Sequence, residues 1–122
     1  MNNEILDKFG RLLIHEVFDN YYSFIKNDLI DLKATERYKN LFASMDEIQK
    51  GELEKLEFEL LSGMLFDFLR IFEENREFKI VYEKEGQHID LCQISEMLKA
   101  EPNINGGWIE RFSQFKEDRK QF

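Results

Sequence analysis

The stretch EFELLSGMLFDFLRIFEEN, residues 57–75, is the most apolar part of the chain and determines how its fold is interpreted. In a helix with ~100° between successive residues, this region forms two adjacent stripes of large apolar side chains. The first stripe is Leu53, Leu56, Leu60, Met64, Phe68 and Ile71, and the second is Phe58, Leu61, Leu65, Leu69 and Phe72. Together they span about 220° of the circumference, whereas a helix on a protein surface needs only about 100°. We therefore predict a central helix over about residues 52–75, with other parts of the chain covering both stripes.

Two more long helices are expected before this one. The first covers about residues 2–29, and its apolar face moves to another side near Glu16, which predicts a kink or a change of neighbours along its length. The second covers about residues 31–50, with Asp31 as its N-terminal cap and Gly51 as its C-terminal break.

The segment FKIVYEKEGQHIDL, residues 78–91, predicts a β-hairpin, because apolar and polar residues alternate on both sides of a turn. Gly86 would supply the positive φ that such a turn requires. Asp90 can cap a short helix that Pro102 ends, and a last short helix begins at Trp108.

These elements predict an α+β fold that is mainly α. It has three long helices packed as a bundle, a small antiparallel β-hairpin at about residues 77–91 and two short C-terminal helices. We expect a single domain over residues 1–122, with a helical portion at 1–75 and the hairpin and short helices at 76–122.

The composition limits the classes of partner. Of 122 residues, 43% are hydrophobic, which suffices for a core without disulfides or metals. The formal net charge of −8 argues against nucleic acid and anionic membranes, since both attract Lys and Arg. An acidic surface suits a basic protein partner, or serves solubility alone.

The cellular location is predicted to be cytoplasmic. Cys92 is the only cysteine, so no intramolecular disulfide can form, as is typical of a reducing compartment. The N-terminal residues lack the basic and apolar regions of a signal peptide, and no apolar run approaches the roughly 18 residues of a membrane span.

No set of residues with catalytic or cofactor-binding spacing is found. His15 lies four residues before Asp19, which suggests either a general base or an ordinary surface pair. His88 follows Glu85 at a di-iron spacing, but the hairpin turn separates the two. We therefore predict that the protein is not an enzyme and has no catalytic residues, cofactor or metal ion.

Three carboxylates fall inside or beside apolar helix faces: Glu16, Glu57 and Asp67. A buried carboxylate must be paired, hydrogen-bonded or protonated. One interpretation is that the three converge on a metal ion or small molecule. The other is a structural role, in which Asp67 pairs with Arg70 and Arg70 pairs with Glu74.

Three aromatic residues are candidates for contact with a partner. Trp108 follows two glycines at a helix start, and Tyr21 and Tyr22 lie on the first helix. Tryptophan and tyrosine are enriched at the energetic centres of interfaces. The alternative is that Trp108 packs in the core against the second stripe.

The predicted function is a non-enzymatic, cytoplasmic protein-interaction domain. In its sharper form the hypothesis is an immunity or antitoxin-type protein, whose acidic surface binds a basic partner. The alternative is a small-molecule or metal-binding helical domain that uses the buried carboxylates. A homodimer held by apolar surface on the first or last helix is a third hypothesis.

Overall fold

Helices dominate this computed structural model, which describes residues 2–27 and 34–121, apart from the side chains of residues 25 and 119–121. In chain order the elements are α1 (Asn2–Leu13), a π-helical turn (Ile14–Phe18), α2 (Asp19–Lys26), α3 (Lys39–Phe42), α4 (Glu47–Glu74), β1 (Val81–Lys84), β2 (Gln87–Asp90), α5 (Leu91–Ile94), a 3-10 turn (Leu98–Ala100), α6 (Trp108–Phe112) and a final 3-10 segment (Lys116–Gln121). The predicted α+β, mainly α class is confirmed.

A π-helical turn joins α1 and α2 into one helical segment over residues 2–26. The turn lies where the apolar face was predicted to move, around Glu16. Ile14, Phe18 and Tyr22, four residues apart, are all buried, so one buried side continues through the π turn into α2. The predicted end of this helix at about residue 29 lies outside the described residues.

The long helix α4 begins earlier than predicted because Asp46 caps it. The Asp46 carboxylate accepts a hydrogen bond from the Gln49 backbone N–H at 2.8 Å, and the Gln49 side chain accepts one from the Asp46 N–H at 3.0 Å. The predicted break at Gly51 is wrong, since a glycine inside a helix costs only about 1 kcal/mol.

The second predicted long helix is not found in the described part of residues 31–50. Its last residues belong to α4, and before them a bend and turns at residues 35–38 separate the helical residue 34 from the single-turn helix α3. The proposed cap Asp31 lies outside the described residues. Among the apolar residues at helical spacing in this segment, Phe42 is buried whereas Leu41 and Ile48 are exposed.

The hairpin has the predicted turn. Tyr82 pairs with Ile89 and Lys84 pairs with Gln87 in an antiparallel register. Both turn residues have positive φ, 51° at Glu85 and 81° at Gly86, as in a two-residue type I′ turn. Strand β1 begins at Val81, three residues after the start of the predicted alternation.

Asp90 closes the hairpin onto the rest of the fold. Its carboxylate accepts a hydrogen bond from the Cys92 N–H at 3.0 Å, which caps α5 as predicted. The same carboxylate forms an ion pair with Arg76, which follows α4. One buried acid therefore orients both the hairpin and α5 relative to the end of α4.

Trp108 joins the two ends of the chain in the core. Its side chain is fully buried and contacts the Phe9 ring edge-on, with 5.8 Å between ring centroids. It also lies on the backbone of Gly10, where an added Cβ would be 2.5 Å from the indole ring. Only a residue without a side chain allows α1 and α6 to approach this closely.

No helix within the described residues combines the length and apolar character needed to cross a membrane.

Gly10→Ala is expected to lower the free energy of unfolding by about 1–3 kcal/mol, because the new methyl group overlaps the indole of Trp108. Gly63→Ala is the matched control, since its added Cβ meets nothing within 4 Å. That change should raise the free energy of unfolding by about 0.5–1 kcal/mol through helix propensity. Urea denaturation measures both, and equal effects of the two substitutions would contradict the packing described here.

Candidate interaction surface

A row of large apolar side chains lies exposed along α4. The exposed fractions are 50% for Leu56, 58% for Leu60, 65% for Met64, 44% for Phe68 and 47% for Ile71. The first four are spaced four residues apart, so they form one continuous ridge on the helix. We call these five residues the apolar ridge.

The apolar ridge is the first stripe predicted from the sequence without Leu53, which is half-buried. The prediction that both stripes are covered is therefore wrong for the described residues. The second stripe is covered: Phe58 and Leu69 are buried, and Phe18 of the π turn contacts the Phe58 ring edge-on at 5.3 Å. The 3-10 turn at Leu98–Ala100 also packs on α4, where the Lys99 N–H donates to the Glu73 carboxylate at 2.7 Å. The π turn and the 3-10 turn therefore pack on the same side of α4.

The ridge is large for an apolar patch on a protein surface. About half of five large side chains amounts to on the order of 500 Å² of apolar area, comparable with the largest patch on a typical soluble monomer. Burying that area yields ~10 kcal/mol before the costs of association. A contiguous patch of this extent is typical of a binding surface.

Acidic residues line one side of the ridge. Glu52, Glu59, Asp67 and Glu74 fall within ~100° of Leu60 around the helix axis, all on the same side, and are exposed. We call these four residues the acidic rim.

One cation, Arg70, lies among the acidic rim on α4. Its guanidinium pairs with Asp67 at 3.4 Å and with Glu74 at 2.9 Å, as their spacing predicts. Glu52 and Glu59 have no ion pair with any described residue. The rim therefore carries a net negative charge.

Glu57 lies on the other side of the ridge and is half-buried. One of its carboxylate oxygens is buried and has no hydrogen-bond partner among the described residues. Burial, and then the negative charge of Glu54, raise the pKa of Glu57 to about 7. A carboxyl group in this position is partly protonated at neutral pH.

The aromatic candidates occupy different environments. Trp108 and Tyr22 are fully buried, so neither offers surface to a partner in this conformation. Trp108 packs in the core, where it contacts Phe9 and Gly10 of α1. Tyr21 is exposed and contacts the ring of Phe24.

Tyr22 is held in a polar network instead. Its hydroxyl donates to the Asp118 carboxylate at 2.7 Å, and the Lys26 ammonium donates to the same oxygen at 2.5 Å. Lys26 also lies 3.8 Å from Glu54 of α4. Burial and the hydrogen bond to Asp118 raise the pKa of the Tyr22 phenol. This network connects α2, α4 and the C-terminal segment.

The three candidate carboxylates do not converge. Glu16 and Asp67 are exposed, so the expectation that they are buried is wrong. The helix faces on which they lie were predicted to be in the core, but at these positions they face solvent. Glu57 alone is partly buried. Within residues 2–27 and 34–121, no group of three or more His, Cys, Asp and Glu side chains is placed to hold a metal ion.

His15 and Asp19 do not form the predicted pair. The buried Asp19 carboxylate accepts hydrogen bonds from the Ser113 hydroxyl at 2.5 Å and from the Gln114 N–H at 3.0 Å. His15 Nε2 instead donates to the Phe112 carbonyl at 3.0 Å. Both side chains therefore connect the first helical segment to the end of α6.

The sequence contained a signal for the ridge that the two-stripe interpretation overlooked. Asp67 and Glu57 fall inside the first stripe and Gly63 falls at its edge, whereas no polar residue between Phe58 and Phe72 falls inside the second stripe. Polar residues within an apolar stripe indicate a face that is open to solvent.

Comparison with protein-family models, with curated proteins and with solved structures gives no match for this chain.

The same change, leucine to alanine, at two positions of α4 tests which side of the helix is buried. Leu69→Ala is expected to lower the free energy of unfolding by about 2–5 kcal/mol, because it leaves a cavity in the core. Leu60→Ala should change it by less than about 0.5 kcal/mol, since Leu60 has little buried area to lose. Chemical denaturation compares the two variants, and a large loss for Leu60→Ala would mean that the ridge is covered.

The raised pKa of Glu57 predicts a specific pH dependence. Since its folded-state pKa of about 7 lies above the ordinary 4.5, the folded chain keeps a proton that the unfolded chain releases. The free energy of unfolding should therefore fall as pH rises from 4.5 to about 7.

Glu57→Gln should remove this fall and be more stable than wild type at pH 8. The gain should be on the order of 1 kcal/mol, given solvent screening of a half-buried group. Glu59→Gln controls for the loss of one exposed negative charge. Urea denaturation between pH 4 and pH 8 measures the effect, and parallel pH profiles for wild type and Glu57→Gln would contradict it.

Proposed function

We propose that this protein is a non-enzymatic protein-interaction domain that binds another protein through the apolar ridge of α4. The observation that carries the proposal is the continuous row of half-exposed Leu56, Leu60, Met64, Phe68 and Ile71. An apolar row of this length on one helix fits the recognition mode in which two amphipathic helices pack face to face.

The polar groups of the interior support a binding role over a chemical one. Asp19, Asp90 and Asp118 are buried, and each accepts hydrogen bonds that connect two parts of the fold. Side chains engaged in this way stabilise the structure and are not free to act on a substrate. Cys92 is half-buried, and burial raises the pKa of its thiol, which disfavours the reactive thiolate.

A sharper version of the proposal is an immunity or antitoxin-type protein that acts in the cytoplasm and blocks a basic partner. The net charge of −8 and the acidic rim beside the ridge support this version. Gene order tests it: a gene for a larger protein with a basic C-terminal domain should adjoin the gene for this chain. A partner identified elsewhere, with an acidic binding domain, would contradict it.

Site-specific photo-crosslinking in the native cell tests the proposed function. A benzophenone amino acid at Met64 should give a covalent adduct of defined mass with another protein, identified by mass spectrometry. Lys55 is the matched control, because it is exposed on α4 but lies on the side away from the ridge. The adduct should disappear when Leu60→Gln is added to the Met64 variant.

Adducts of equal yield at Met64 and Lys55, or no adduct at either position, would contradict the proposal. Circular dichroism on each variant shows whether the helix is preserved, and ridge substitutions are expected to preserve it because these side chains are largely solvent-exposed.

A further inference from the structure

We infer that the partner segment bound by the apolar ridge is a basic amphipathic helix of about four turns, with Lys or Arg along the flank that faces the acidic rim. This inference rests on the proposed function and adds the chemistry of the partner to it. Its basis is the juxtaposition of an exposed apolar row and a one-sided row of carboxylates on the same helix.

The length of the ridge sets the length of the partner segment. From Leu56 to Ile71 the helix advances 15 residues, or about 22 Å at 1.5 Å per residue. A second helix needs about four turns to cover this distance. The i, i+4 row of Leu56, Leu60, Met64 and Phe68 provides the kind of ridge that packs into the grooves of another helix.

The negative charge of the acidic rim determines which side chains the facing flank of the partner helix should carry. Arg70 neutralises part of the rim through Asp67 and Glu74, and Glu52 and Glu59 remain without an ion pair among the described residues. These two carboxylates lie seven residues apart, about 10 Å along the helix, so two cations two turns apart on a partner can face both. No described cation lies on the ridge itself to repel such a partner.

The same charges disfavour a second copy of this chain. In an antiparallel symmetric pair each ridge would meet an identical ridge with the two acidic rims on the same flank, and in either orientation two molecules of net charge −8 would approach each other. Like charges placed together at an interface cost several kcal/mol, which opposes the gain from the apolar contact.

Two synthetic peptides of identical length test the inference. The first is an 18-residue helical peptide with leucine on one face and lysine on the other. The second has the same leucines, with glutamate in place of every lysine. Both are titrated against the full chain carrying methyl-13C methionine, in which Met64 is the reporter on the ridge and is assigned with Met64→Leu.

The lysine peptide should shift the Met64 signal saturably and bind about tenfold or more tightly than the glutamate peptide at low salt. The difference should shrink towards 0.5 M salt, because ions screen exposed charges. Combined Glu52→Gln and Glu59→Gln should weaken lysine-peptide binding about threefold or more. Glu83→Gln with Glu96→Gln removes the same charge from exposed sites outside α4 and its acidic rim and should have less effect.

Three outcomes would overturn the inference. If both peptides bind equally and Leu60→Gln with Met64→Gln abolishes both, the ridge is a binding surface without charge selection, and the proposed function stands. If that double variant still binds the lysine peptide, binding is general attraction to an acidic protein. If neither peptide binds and light scattering shows a dimer that the double variant loses, a second copy is the occupant.

Discussion

The contact between Trp108 and Gly10 is the constraint on which the arrangement of this protein depends. An indole lying on a helix backbone brings α6 against α1, so the two ends of the chain meet in one core. The π turn then continues the buried side of α1 into α2, and its Phe18 contacts Phe58 of α4. The N-terminal helix and the C-terminal segments therefore contact each other, and they occupy one side of α4.

The buried polar groups reinforce this one-sided arrangement. Asp19 accepts hydrogen bonds from Ser113 and Gln114, and Asp118 accepts one from Tyr22. Each connects the first helical segment to the C-terminal region. An unpaired buried carboxylate would cost several kcal/mol, so these contacts favour one relative placement of the two ends. Among the described residues none covers the other side of α4, where the ridge is exposed.

The sequence therefore predicted which residues form the candidate site, but not that they are exposed to solvent. Periodicity identified every residue of the apolar ridge, from Leu56 to Ile71, because the spacing of apolar residues in a helix depends on geometry alone. The same periodicity placed the ridge residues in the core, because apolar residues recur at the same spacing whether their stripe faces a neighbouring helix or solvent. Glu16 was misplaced for the same reason, and Trp108 was selected by residue type although its indole fills the core.

Local chemistry determined the features that the sequence alone could predict. The mainly helical class, the hairpin turn at Gly86 and the cap at Asp90 follow from interactions between residues close together in the chain. Tertiary structure decided which stripe of α4 is buried, because the answer depends on how many neighbours reach the helix and on which side. Those neighbours are placed by contacts about 100 residues apart, such as Gly10 with Trp108, which no local pattern specifies.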